Sequence, residues 1–152
     1  MKLRVHVDYV SSVPDLPGKA TITEWTRAAL EGDAREQIEI GVRVVDEAEI
    51  ANLNKRFRGK SGPTNVLAFS FENTPAIATD FLGDIVICAP IVQREAQEQG
   101  KPELAHWAHM VVHAIMHLRG HDHNAPEEAQ AMESIEGCVL TKLGFADPYA
   151  AT

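Results

Sequence analysis

Six of the seven histidines, His106, His109, His113, His117, His121 and His123, fall within 18 consecutive residues. On a helix, positions four apart stack on one face, so His113 and His117 can turn both imidazoles toward one centre. That spacing suits a tetrahedral zinc ion with Zn–N distances of about 2.0–2.1 Å. A third donor has to come from beyond the turn. Gly120 lets the backbone take a left-handed conformation and leave the helix, which would swing His121 or His123 back toward the metal. His113, His117 and His123 make a coherent His-x3-His-x5-His set. Three protein ligands leave a fourth position open for water, as catalytic rather than structural zinc does. His106 and His109 extend the stripe and read either as groups supporting the ligands or as plain polar residues. Asp122 either orients an imidazole or caps the following loop. The bland alternative, histidines decorating a solvated helix face, accounts for neither the clustering nor the helix-breaking glycine.

Zinc peptidases of the His-Glu-x-x-His type place a glutamate general base directly after the first histidine. Here Ala114 follows His113. Peptide hydrolysis by that route is not expected, and what remains is a Lewis acid with a bound water whose pKa can fall to about 7.

A second chemical signal lies upstream. From Ile50 through Phe71 there is no acidic residue, yet Lys55, Arg56, Arg58 and Lys60 all lie there, in a chain of net charge -8. Cations complementing a helix dipole account for Lys55 and Arg56. Arg58 stands between Phe57, expected to face inward, and Gly59. It is therefore expected to be held at its base and free at its tip, where a planar guanidinium suits a substrate phosphate.

The elements that position these groups follow from periodicity. Leu3, Val5, Val7 and Tyr9 alternate with polar residues as a strand with one wet face. Thr23 is a plausible N-cap for a helix through Trp25, Ala29 and Leu30. Ile38, Ile40, Val42 and Val44 form a second strand. Asp46 with Glu49 resembles a capping box opening a short helix with Ile50, Leu53 and Phe57 on its inner face. Arg58 to Pro63 and Asn73 to Asp80 read as loops flanking a strand at Val66–Phe71. Gly83–Cys88 suits a central strand covered on both faces. A helix runs from Pro90 to Gly100, and the histidine helix from Pro102 to Gly120, with Leu104, Ala108, Val111, Val112 and Ile115 on its apolar side. The last helix begins near Asn124–Glu127, turns Met132, Ile135, Val139 and Leu143 inward, and stops at Gly144. The order β-α-β-α-β-β-α-α-α implies an α/β (α+β) fold with one mixed sheet of about four strands packed with about five helices.

A chain of 152 residues with 45% hydrophobic and 24% charged residues is expected to be one domain, residues 1–152. It hides about 68–70% of its unfolded surface, enough for a core without disulfides or structural metal, so any metal is expected to be functional. Cys88 and Cys138 lie far apart with no C-x-x-C pair, which fits a reducing, cytoplasmic setting. The alternating N-terminus reads as a mature strand rather than a signal peptide, and no apolar stretch approaches the roughly 18 residues of a membrane span. The acidic balance excludes coating nucleic acid through the whole surface but allows a local basic patch.

The run His113-Ala-Ile-Met-His117-Leu-Arg-Gly120-His-Asp122-His123 resembles the H-G-x-L-H-L-x-G-Y-D-H signature of the YbeY family, bacterial endoribonucleases of ribosomal-RNA maturation. Leu53-Asn54, Arg58-Gly59-Lys60, Pro63-Thr64-Asn65-Val66-Leu67, Leu82-Gly83-Asp84-Ile85, Leu143-Gly144-Phe145 and Asp147-Pro148-Tyr149 match that family's pattern in order, from about residue 40 to the C-terminus. The resemblance implies one Zn2+ held by His113, His117 and His123, and an arginine, Arg58, needed for activity. It implies cleavage of single-stranded RNA on ribosomal particles during late ribosome maturation, including 16S rRNA 3′-end processing and ribosome quality control. The fold it implies has a metal helix like that of zinc peptidases. Ala114 stands where the family usually has glycine, a change a helix favours. His121 stands where tyrosine is usual, and the register of the motif selects His123 as third ligand. Two other classes are weighed: a non-catalytic, zinc-containing ribosome-assembly factor, and a metal-dependent hydrolase of a small substrate.

Overall fold

The computed structural model describes residues 1–71, 80–121 and 125–150. Its elements run β1 (Lys2–Tyr9), α1 (Lys19–Ala29), β2 (Gln37–Val45), α2 (Glu47–Arg58), β3 (Val66–Ser70), β4 (Phe81–Cys88), α3 (Ala89–Glu98), α4 (Glu103–Leu118) and α5 (Pro126–Lys142). The expected order and counts of strands and helices are found. The sheet order is β1-β2-β4-β3, with β1, β2 and β4 parallel and β3 antiparallel on the edge beside β4. It is the mixed sheet of an α+β fold. The loop expected at 73–80 lies outside the described residues except for Asp80.

Alternation sorts the strand residues onto two faces. Val5, Ile38, Ile40, Val42, Val44, Ile85 and Ile87 join Ile22 and Trp25 of α1 and much of α4 in the main core. On the other face, Val45, Leu67, Val86 and Cys88 meet Ile50 of α2 and Ile91 of α3 in a smaller cluster. β4 is therefore covered on both faces over its C-terminal half, as its uniform apolarity requires.

The central helix is α4. His106, Trp107, Met110, Val111, Ala114, Ile115 and Leu118 are all buried, because β3, β4, α1, α3 and α5 surround it. The only partly open line along its second half is the one carrying His109, His113 and His117. Leu104, expected on the apolar side, is instead 52% exposed, in a first turn where Pro102, Glu103 and Leu104 all face solvent.

Three local expectations are corrected. α1 starts after Gly18 rather than at Thr23, whose hydroxyl donates backward to the Lys19 carbonyl at 2.7 Å within the helix. Asp46 does occupy the N-cap of α2, but no capping box forms. Its carboxylate accepts from Ser11 and from the Ser12 N–H at 3.3 Å, while Glu49 accepts from Arg43 Nε at 2.5 Å. Phe57 does not face inward: it is 58% exposed, at the end of a helix whose buried contacts come from Ile50 and Asn54.

Candidate active site

The first requirement of the site is that α4 end where it does. Gly120 has φ 91, a conformation that strains residues bearing a Cβ. Its N–H bonds the His117 carbonyl at 3.0 Å and the His121 N–H bonds the Met116 carbonyl at 3.0 Å, closing the last turn immediately after His117.

From the buried His106 onto the open line of α4 the imidazoles form a ladder, with ring centroids 6.1 Å apart from His106 to His109, 6.3 Å from His109 to His113 and 4.7 Å from His113 to His117. The Nε2 atoms of His113 and His117 lie 3.2 Å apart. Two nitrogens at ~2.0–2.1 Å from a tetrahedral centre are ~3.3 Å apart, so the pair is spaced as two ligands of one ion would be. His123 and Asp122 lie outside the described residues. Among the described residues, which include His121, no third donor joins the pair.

What holds His113 is Glu136, a residue without a motif of its own in the sequence. Glu136 of α5 is fully buried and accepts from His113 Nδ1 at 2.5 Å and from the Tyr149 hydroxyl at 2.6 Å. Since a carboxylate only accepts, the proton sits on Nδ1 and the Nε2 lone pair turns toward His117, the form in which histidine ligates a metal. His109 stands 3.9 Å from Glu136, and its closer partner is the Tyr149 hydroxyl, 2.9 Å from its Nε2. Burial alone pushes the Glu136 carboxyl up, but donation from His113 and Tyr149, with His109 close by, outweighs it and holds the pKa at about 2. Burial, with Glu136 beside it, pushes the Tyr149 hydroxyl up. The donor chemistry and its support fit a zinc site on α4.

One signal could have exposed Glu136: it lies four residues after Met132 and four before Leu140, both buried, so a charged residue stands on the inner stripe of α5. Gly137 beside it allows the C-terminal segment to close in. A Cβ there would meet the Asp147 carboxylate oxygens at 2.7 Å, and Oδ1 of that carboxylate accepts from the Tyr149 N–H at 2.9 Å.

His106 has a separate, structural role. It is buried, 2.9 Å from Glu95 of α3, which also accepts from the Asn65 side chain at 3.1 Å, so the trio fastens the start of β3 to α3 and α4. Burial lowers the His106 pKa.

Arg58 departs from expectation at its tip. Its Nη2 donates to the Ala68 carbonyl at 2.5 Å, and its guanidinium carbon lies 5.3 Å from the centre of the Phe69 ring. The Phe71 N–H bonds the Leu82 carbonyl, so the odd-numbered residues of β3 face β4 and the Ala68 carbonyl points off the open edge. Arg58 therefore grips the outer edge of β3, the strand whose Val66 and Ala68 pack toward the core that holds α4. A guanidinium has five donors, and one bond leaves others for substrate. The loop after it is pinned by Asn54, whose side chain donates to the Gly62 carbonyl at 2.9 Å.

A family model described as "Endoribonuclease YbeY" matches residues 11–144. Proteins named "Endoribonuclease YbeY" are similar along nearly the whole chain. That of Nitrosococcus oceani is 48% identical over 98% of both chains, and that of Methylococcus capsulatus 50% identical over 91% of both. That of Alkalilimnicola ehrlichii is 53% identical over 88% of this chain and 82% of its own. The solution structure of TM1509 from Thermotoga maritima shares the fold, with a TM-score of 0.57 at 24% identity, covering 98% of this chain and 99% of that one. With the family model and these relatives covering the histidine helix and the basic loop alike, the chain belongs to the YbeY family of endoribonucleases.

Proposed function

We infer that this chain, an endoribonuclease of ribosomal-RNA processing, cuts single-stranded RNA at one zinc ion held by His113, His117 and His123. The observation that carries the reading is the pair of Nε2 atoms 3.2 Å apart, one of them oriented by the buried Glu136. Zinc held there would supply Lewis acidity toward a phosphate oxygen and lower the pKa of a bound water. Glu136 keeps His113 in its ligating tautomer, and Tyr149 keeps Glu136 ionised and immobile. Arg58, fixed to the edge of β3, offsets charge that builds on the phosphate. Ala114, where a peptidase has its base, leaves peptides uncut. The chain acts as one domain in the cytoplasm on ribosomal particles late in maturation, with 16S rRNA 3′-end processing and ribosome quality control as its setting. No helix among the described residues is long and apolar enough to cross a membrane.

The test is cleavage of single-stranded RNA by nuclease-free protein, before and after chelation and zinc return, with casein as control. Cleavage of RNA only, lost and restored with zinc, is expected. Chelator-sensitive cleavage of casein, or RNA cleavage indifferent to chelation, would refute the assignment. Activity independent of salt would favour a small substrate, because polyanion binding weakens steeply as salt rises.

A further inference from the structure

Phe57 and Phe69 form a surface that the zinc chemistry does not use. The Phe57 ring, 58% exposed at the end of α2, meets Phe69 of β3 edge to face, with centroids 5.5 Å apart and planes at 71°. The guanidinium carbon of Arg56 lies 5.4 Å from the centre of the Phe57 ring, as that of Arg58 lies 5.3 Å from Phe69. Both rings line one rim of a groove of about 580 Å³, over the part of the sheet that α2 leaves open. A phenylalanine kept in water forgoes burial, and two joined rings each faced by a guanidinium differ from a scattered exposed apolar residue.

The surroundings select the occupant. Arg56 and Arg58 face the rings, Lys55 and Lys60 flank Phe57 in sequence, and no acidic residue lies between Ile50 and Phe71. Across the groove Asp8 and Glu49 are tied to Arg43. Asp84 lies on the floor, so a polyanion backbone runs over the basic rim and not down the groove. Every nucleobase has a π-face, and aromatic rings within a basic surface bind single strands with little regard to sequence. The position suits the chemistry. Val66 and Ala68 of β3 pack toward the core holding α4, Phe69 points to the opposite face, and Arg58 holds the strand edge between them.

We propose that Phe57 and Phe69, flanked by Arg56 and Arg58, form a base-stacking subsite for a nucleotide of single-stranded RNA outside the scissile bond. The proposal rests on the RNA reading above. A docked protein would use this surface through apolar area, whereas a base requires a planar ring.

The experiment is equilibrium binding of a short 2′-O-methyl oligonucleotide carrying 2-aminopurine to zinc-loaded wild type and to Phe57→Ala, Phe57→Leu and Phe57→Trp, in a salt series. Wild type is expected to bind and quench the probe. Phe57→Ala and Phe57→Leu should each bind about 5- to 100-fold more weakly with quenching lost, and Phe57→Trp should restore both. The slope of log affinity against log salt should be shared by all four, because phosphate contacts are unchanged. Zinc content and Tm of the variants should stay at the wild-type level. Binding by Phe57→Ala equal to wild type would overturn the subsite, and so would full binding by Phe57→Leu, which would mark an apolar docking surface. Wild type that neither binds the probe nor cuts RNA would overturn the subsite together with the RNA reading. Wild type that cuts RNA while Phe57→Ala binds normally would overturn the subsite alone.

Discussion

Glu136 decides how His113 presents itself, because a buried carboxylate that accepts from Nδ1 leaves only Nε2 for a metal. Glu136→Gln removes the charge and one accepting oxygen while keeping the shape. Zinc affinity, measured by competition with a chelating dye, should fall about 10- to 100-fold. Tyr149→Phe, which removes one donor to Glu136, should fall less. An unchanged affinity in Glu136→Gln would show that His113 orients itself. Arg58 belongs to the same scale, with its expected role altered by the bond to Ala68. Arg58→Ala loses an exposed bond to a backbone carbonyl, about 0.5–1.5 kcal/mol of stability, but about 10²–10³ in RNA cleavage rate, with zinc retained. Arg58→Lys should recover only part, since lysine lacks the planar fork. Unfolding or zinc loss in Arg58→Ala would make the residue a structural clamp on β3. The histidine pair was legible in the sequence because helical spacing is local. Glu136 and Tyr149 were not, since their role depends on how α5 and the C-terminal segment dock on α4.

At the scale of elements, α4 beyond its first turn is buried by its neighbours except along the line of His109, His113 and His117, so a central helix also carries the proposed metal site. Apolar patterning and turn residues located all nine elements, through alternation in β1 and β2, unbroken apolarity in β4 and glycines or prolines at the helix ends. Patterning failed at ends where single side chains choose between partners: Asp46 serves Ser11 and Ser12 instead of its own helix, and Thr23 bonds within α1. Phe57 fits an inner-face pattern by spacing, yet α2 runs past the sheet cluster it covers before reaching that residue. The approach of the C-terminal segment to α5 supplies a prediction. Gly→Ala inside a helix ordinarily stabilises by about 0.8–1 kcal/mol. Gly137→Ala should forfeit that gain, because the new methyl group displaces the Asp147 carboxylate from the Tyr149 N–H, a hydrogen bond worth about 0.5–1.5 kcal/mol. Thermal denaturation should show a Tm within about 2 °C of wild type. A Tm raised by ~2–4 °C would mean that the C-terminal segment yields at no cost.

For the whole molecule, the net charge of -8 and the basic stretch between Ile50 and Phe71 work together. The acidic surface discourages indiscriminate binding of nucleic acid, and in the proposed function the local cations direct a strand to the edge of β3 beside α4. Whether RNA cleavage depends on a metal at His113 and His117 is decided by zinc content measured alongside RNA cleavage on wild type and His117→Ala. The expected result is about one zinc per chain and cleavage in wild type, with both lost in a His117→Ala protein that remains folded. Undiminished RNA cleavage by zinc-free His117→Ala would contradict that dependence.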